Sequence, residues 1–248
     1  MLNKQKKYLG QHFLKNKIIL EEMARSGEIS KKDVVLEVGP GLGSLTEILA
    51  ARAKKVIAIE KDHELIAGLQ EKLRNYKNVE IIQGDILKRG LRLPKNYKIV
   101  ANIPYYITSR FLRLFLSQTR FGSKPKLVVL MIQKEVADRI LAKDKKESLL
   151  SLSVKAYAKP ELVRYVSRGF FLPPQKVDSA IIKISDIRSW KWGVGEKKFW
   201  EILRAAFQQK RKMLRHSLKN KLSTSDVDRF GNKRPEELSL RDWVSMIK

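Results

Sequence analysis

Four short stretches of this chain hold residue types that could do chemistry together. The first is Glu37-Val-Gly39-Pro-Gly41-Leu-Gly43. Glycines there let the main chain turn sharply and approach a ligand closely, and a following helix would aim its free N–H groups at the same point. The second is Glu60, 21 residues beyond Gly39; a carboxylate there can accept hydrogen bonds from two ribose hydroxyls. The third is Asp85, in Gln83-Gly-Asp85, which could accept the exocyclic N–H of an adenine. The fourth is Asn102-Ile103-Pro104-Tyr105. An amine conjugated to a purine ring is a poor nucleophile because its lone pair is delocalised. Two acceptors placed on its two N–H groups favour a pyramidal nitrogen and return the lone pair to it. Asn102 Oδ1 and the Ile103 carbonyl can be those acceptors. Pro104 fixes the local φ so that the carbonyl points inward, and Tyr105 can stack on an extruded base. This is electrostatic positioning and needs no general base with a perturbed pKa.

Each stretch has a plainer explanation when taken alone. A glycine turn can be only a turn, Glu60 a surface acid at a helix start, Asp85 a cap, and the fourth motif an Asx-Pro turn with a core tyrosine. Their joint placement is less ordinary. Short apolar runs at Asp33–Val38, Lys55–Glu60, Val79–Ile82, Tyr97–Ala101 and Leu127–Ile132 read as strands, and the first four each end at one of these motifs. Helical patterns lie between or beside them at Leu42–Ala51, His63–Asn75, Ser109–Gln118 and Lys134–Ala142, after an opening helix from about Lys17 to Gly27 with Ile18, Ile19, Leu20 and Met23 inward. Alternating strands and helices make βαβ units with a parallel sheet, and such a sheet binds its ligand at the carboxyl ends of the strands. The glycine pattern is not G-x-G-x-x-G, since the third glycine comes one residue early, which disfavours a dinucleotide fold.

Two further β-rich runs, Glu161–Val166 and Ala180–Ser185, predict a final hairpin on the sheet. From Ile187 the character changes: RSWKWGVGEKK reads as a linker, and a helical, basic tail follows. The reading is therefore α/β. A Rossmann-like, mostly parallel seven-stranded sheet occupies residues 1–187 with a basic N-terminal arm, and a small helical domain occupies 188–248. Lys210, Arg211, Lys212 and Arg215, with Lys219 and Lys221 nearby, fall on what reads as a basic helix suited to RNA phosphates.

Composition narrows the function. Lys and Arg number 52 against 26 acids, a net charge of +26, so an acidic partner is expected, nucleic acid before membrane. There is no cysteine, which excludes thiolate chemistry and cysteine-dependent C5 methylation. The three histidines, at 12, 63 and 216, lack metal-site spacing, so no metal is expected. The longest clean apolar run is Leu127–Ile132, far too short to span a bilayer, and the N-terminus lacks a signal-peptide pattern.

With these residues in view, the chain resembles the class I S-adenosylmethionine-dependent methyltransferases, and among them the ribosomal RNA adenine dimethyltransferases of the KsgA type. The likeness runs through Tyr8-Leu-Gly-Gln-His-Phe-Leu14, the glycine turn, Asn102-Ile-Pro-Tyr105, Lys176-Val-Asp-Ser-Ala180 and the stretch from Phe207 to Leu218. It implies S-adenosyl-L-methionine as cofactor. Gln11, His12 and Leu14 would border its methionine end, Gly39 and Gly41 would touch that end through the main chain, Glu60 would hold the ribose, and Asp85 with Ile86 the adenine. Asn102 would border the cofactor as well as the target base. Tyr105 and Phe171 would pack on the base. Three places depart from the family's usual residues: His12, Tyr106 and the Pro174-Gln175 pair. The resemblance further implies two adjacent adenosines of small-subunit ribosomal RNA, in an immature subunit, as substrate, and a cytoplasmic monomer. Its alternatives are large-subunit methylation of the macrolide-resistance type and a non-catalytic assembly factor; a nicotinamide dehydrogenase would need neither the fourth motif nor a basic tail.

Overall fold

The computed structural model describes residues 12–14, 16–88, 93–117, 121–218 and 223–248. They divide into two compact units, one drawn from Met1–Ala137 and Lys159–Ile187, the other from Asp138–Ala158 and Arg188–Lys248. The second unit thus takes in Asp138–Ala158, a segment the sequence reading placed in the first domain.

In the first unit the elements run β1 (Phe13–Leu14), α1 (Lys17–Ser26), β2 (Val34–Val38), α2 (Ser44–Arg52), β3 (Lys55–Glu60), α3 (His63–Leu73), β4 (Val79–Gln83), β5 (Lys98–Asn102), α4 (Thr108–Leu116) and β6 (Leu127–Gln133). Then α5 (Lys134–Leu141) and α6 (Leu149–Lys155) precede β7 (Lys159–Val166), β8 (Phe171–Leu172) and β9 (Ser179–Ser185). Seven strands form one sheet in the order β4-β3-β2-β5-β6-β9-β7. The first five are parallel, and β9 runs antiparallel to both of its neighbours, which is the expected closing hairpin. The chain winds outward from β2 to β4, then returns to lay β5 beside β2. That reversal opens a crevice at the carboxyl ends of β2 and β5.

Both faces of the central strands are covered, which is why β2, β3, β5 and β6 read as near-continuous apolar runs rather than alternating ones. Val35, Val56, Val100, Val129 and Met131 join α1 and α2 in one core, while Leu36, Ile57, Ile99 and Leu130, on the alternate face, are equally buried. The Asn16 side chain caps α1 by accepting the Ile19 N–H at 3.2 Å, and Ile19, Leu20 and Met23 are buried. Ile18, expected inward, is 69% exposed: successive helical residues are 100° apart, so three in a row cannot share one face.

The second unit continues with α7 (Glu196–Gln208), α8 (Leu214–Ser217), α9 (Thr224–Phe230) and α10 (Leu240–Ile247). Phe199, Leu203, Leu214, Leu238 and Trp243 are fully buried in it. The stretch expected to be a linker is packed instead: the Trp190 ring lies 4.9 Å from Phe199, and the Trp192 Nε1–H donates to the Ala156 carbonyl at 2.8 Å. The basic stretch is not one helix. α7 stops at Gln208, and α8 starts after the extended Met213. The break follows from tertiary contacts, because the Leu214 and Arg215 N–H groups donate to the Lys233 and Gly231 carbonyls. A continuous helix would turn those donors back along its own axis.

Candidate active site

The crevice holds a cavity of about 310 Å³, within the range of small-molecule sites. The glycine turn forms its floor. Gly39, Gly41 and Gly43 all have positive φ, +70°, +58° and +76°, so the turn is open only to glycine without strain. A Cβ on Gly39 would stand 3.8 Å from Pro104 and 3.9 Å from the Asn102 carbonyl oxygen, which puts the turn directly beside the end of β5.

Three carboxyl groups line the cavity: Glu37, Glu60 and Asp85. Glu60 Oε2 accepts the Gly41 N–H at 3.1 Å and Oε1 the Asp62 N–H at 2.8 Å. The Lys61 main chain is a third donor to this carboxyl, which has about four acceptor directions in all. Burial raises its pKa against the pull of these main-chain donors. For Asp85, burial also disfavours the anion, but the Leu87 N–H at 2.9 Å and the Lys61 ammonium at 3.3 Å outweigh it and keep the carboxyl below its ordinary value. Glu37, at the carboxyl end of β2, is 1% exposed. Burial pushes its pKa up to about 8; the nearby Thr46 hydroxyl pulls the other way and the Glu60 charge adds to the rise. Thr46 comes close without meeting hydrogen-bond geometry, and Glu37 Oε2 has no partner among the described residues. Sequence reasoning quoted Glu37 only as the start of the glycine motif. Its signal was an acid inside the otherwise apolar run Val-Val-Leu-Glu-Val, since a buried acid is rarely retained without a partner. The rim carries the opposite sign, with Lys61, Lys88 and Arg110 lining it and exposed.

The fourth motif stands on the other wall. Asn102 is the last residue of β5, and its side chain has no hydrogen-bond partner among the described residues. Asn102, Ile103, Pro104 and Tyr105 all line the cavity. The Tyr105 hydroxyl donates to Gln175 Oε1 and lies 2.6 Å from Ser179 Oγ, and Ser179 Oγ reaches the same amide oxygen at 3.0 Å. Gln175 and Ser179 are buried, so the ring is held from its far end. Sequence reasoning registered Gln175 only as a departure in spacing.

His12, Leu14 and Ile86 also line the cavity. His12 Nδ1 lies 2.9 Å from the Pro173 carbonyl oxygen; a carbonyl can only accept, so the proton is on Nδ1, and in the neutral ring Nε2 presents a lone pair. Gln11 lies outside the described residues. Phe171 departs from expectation. It pairs with Leu14 across the short β1–β8 ladder and is buried at 3% exposure in the core, so it does not reach the cavity. The β-ladder fixes its direction, and the exposed ring beside it is Phe170.

The other expected RNA contacts lie in the second unit. Lys210, Arg211 and Lys212 are exposed in the turn between α7 and α8. Arg215 is exposed on α8 with its Nη1 donating to Asn232 Oδ1 at 2.8 Å. Lys219 and Lys221 lie outside the described residues. Among the described residues no cluster of acids or histidines could hold a metal ion, and no helix is long and apolar enough to cross a membrane.

A glycine turn, a second-strand acid and a third-strand aspartate at the switch point of this sheet define a class I methyltransferase. The model of the family "Ribosomal RNA adenine dimethylase" matches residues 2–248. The chain is 42% identical to the Ribosomal RNA small subunit methyltransferase A of Dehalococcoides mccartyi, over 96% of this chain and 86% of that protein. It is 36% identical to the protein of the same name from Clostridium acetobutylicum, over 96% and 90%. Among solved structures, a dimethyladenosine transferase from Plasmodium falciparum superposes with a TM-score of 0.81 at 30% identity, covering 95% of this chain and 96% of that one. The 23S rRNA methyltransferase ErmE superposes at 0.80 with 26% identity, covering 95% and 98%. The chain belongs to the ribosomal RNA adenine dimethylase family.

Proposed function

We propose that this protein transfers methyl groups from S-adenosyl-L-methionine to the N6 amines of two adjacent adenosines of small-subunit ribosomal RNA, in an immature subunit in the cytoplasm. The observation that carries the reading is the meeting of a locally acidic cavity with an unpartnered Asn102 at its wall, in a protein of net charge +26. The residues present fit the cofactor. It is cationic at its sulfonium and ammonium groups, and Glu60, Asp85 and the buried Glu37, whose Oε2 has no partner among the described residues, line the cavity that would receive it. The choice of the small subunit rests on the names of the curated relatives.

When bound, the cofactor supplies an electrophilic methyl group. The protein's own part is to hold the amine. Asn102 Oδ1 and the Ile103 carbonyl accept its two N–H bonds, keep the lone pair on nitrogen and stabilise the positive charge that develops there. The Tyr105 ring, anchored by Gln175 and Ser179, gives the base a face to stack on. Glu60 and Asp85 orient ribose and adenine of the donor, and the glycine turn lets it approach. The second unit, through Lys210, Arg211 and Lys212, would hold RNA phosphates.

Asn102→Ala tests the assignment. An interaction stronger in the transition state than in the ground state lowers kcat rather than affinity alone. Single-turnover methyl transfer should fall on the order of 10²–10³-fold, while calorimetry shows cofactor affinity nearly unchanged. A near wild-type rate would make the motif a structural turn and end the catalytic assignment.

A further inference from the structure

Tyr106 follows the catalytic motif but faces the other way from Tyr105. Tyr105 is half-buried, with its hydroxyl tied inward to Gln175 and Ser179; Tyr106 is 59% exposed although it lines the same cavity. Both belong to one 3₁₀ turn, Tyr105–Ile107, in which successive side chains stand about 120° apart. With the Tyr105 hydroxyl tied inward, the exposed Tyr106 ring stands at the cavity's mouth. Four residues on, Arg110 also lines the mouth and is exposed. The spacing puts Tyr106 and Arg110 on one side of the segment that becomes α4. The opposite side of α4 is committed to the core through Phe111, Leu112 and Phe115. No acid occurs between Thr108 and Leu116, and Arg110 has no carboxylate partner among the described residues.

A large ring left in water and an uncompensated guanidinium beside it serve nothing in the fold. Together they match one nucleotide, with a π-face for a base and a cation for its phosphate. We propose that Tyr106 and Arg110 form the seat for the nucleotide adjoining the target adenosine: the Tyr106 ring stacks on its base and Arg110 takes its phosphate. This rests on the function proposed above. It gives the enzyme a place for one adenosine of the pair while the other occupies the cavity, so the seat bears on the choice of two adjacent targets.

The two residues should fail in different ways. Stacking is insensitive to salt, whereas a phosphate contact releases counterions. Titration of unmethylated small ribosomal subunits should show Tyr106→Ala raising Kd about 5–100-fold with an unchanged log–log salt slope, and Tyr106→Phe staying near wild type. Arg110→Ala should reduce the slope by about 0.7–0.9. Cofactor affinity, measured by calorimetry on the same preparations, should not move and verifies that each variant is folded. A wild-type Kd for Tyr106→Ala, or equal loss for Tyr106→Phe, overturns the stacking seat; an unchanged slope for Arg110→Ala overturns the phosphate contact. If wild-type protein methylates only large-subunit RNA, the choice of substrate fails, and the same titrations on that RNA judge the seat.

Discussion

Glu37 shows how strongly the cavity sets the state of its own residues. Its carboxyl titrates near pH 8 in the fold, against about 4.3 in an unstructured chain. Between these values the folded protein keeps a proton that the unfolded chain has released, so more protons are bound in the native state. Stability must therefore fall as pH rises from about 5 towards 8, then level off. Urea midpoints across that range should show the decline in the unliganded protein and a flatter profile in Glu37→Gln; identical slopes would mean that Glu37 is already ionised. Tyr105 carries a second expectation. Were its ring only a stacking surface, Tyr105→Phe would be silent. Its hydroxyl instead fixes the ring through Gln175 and Ser179, so removing it should cost about 1 kcal/mol of stability and lower methyl transfer several-fold, with Tyr105→Ala more severe. The place of the ring at the cavity wall was legible from Asn102-Ile-Pro-Tyr105, because four adjacent residues line it together. The anchor was not, because Gln175 lies 70 residues away and only folding brings it near.

The glycine turn behaves as an element rather than as three separate residues. A Cβ on Gly41 would meet the Phe13 ring at 2.9 Å, at a φ of +58°; on Gly39 it would meet nothing nearer than 3.8 Å. Gly41→Ala should therefore disturb both the turn and β1, and lose more stability than Gly39→Ala, which suffers backbone strain of about 1–2 kcal/mol alone. Melting curves of the two variants decide this, and equal losses would contradict it. The central strands were legible because a parallel sheet covered on both faces leaves near-continuous apolar runs, and the closing hairpin because its two β-rich runs, Glu161–Val166 and Ala180–Ser185, follow one another. The second unit was less so. The run from Phe207 to Leu218 has helical spacing, but the Leu214 and Arg215 N–H groups are claimed by the 231–233 turn, and no local pattern announces that. Phe171 was misplaced on similar grounds, since adjacent phenylalanines do not reveal which one the β1–β8 ladder buries.

The whole molecule sorts its charge by partner. Acids gather in the cavity, where a cationic donor would sit, and exposed cations stand at its rim and on the second unit, within a net charge of +26. Replacing Lys210, Arg211 and Lys212 by alanine should flatten the salt dependence of RNA binding by about 0.7–0.9 per lost contact. Arg215→Ala should add less, because Asn232 already holds that guanidinium; if the slope stays put, the turn is a solvated surface. The central claim is the identity of the reaction and its RNA. The most direct measurement offers wild-type protein, with labelled S-adenosyl-L-methionine, purified small and large ribosomal subunits that lack adenine methylation, and follows with nucleoside analysis of each RNA. The account predicts N6,N6-dimethyladenosine in small-subunit RNA, at two adjacent positions, with none in large-subunit RNA. Label confined to large-subunit RNA, or no transfer to either by protein that binds the cofactor, would contradict it.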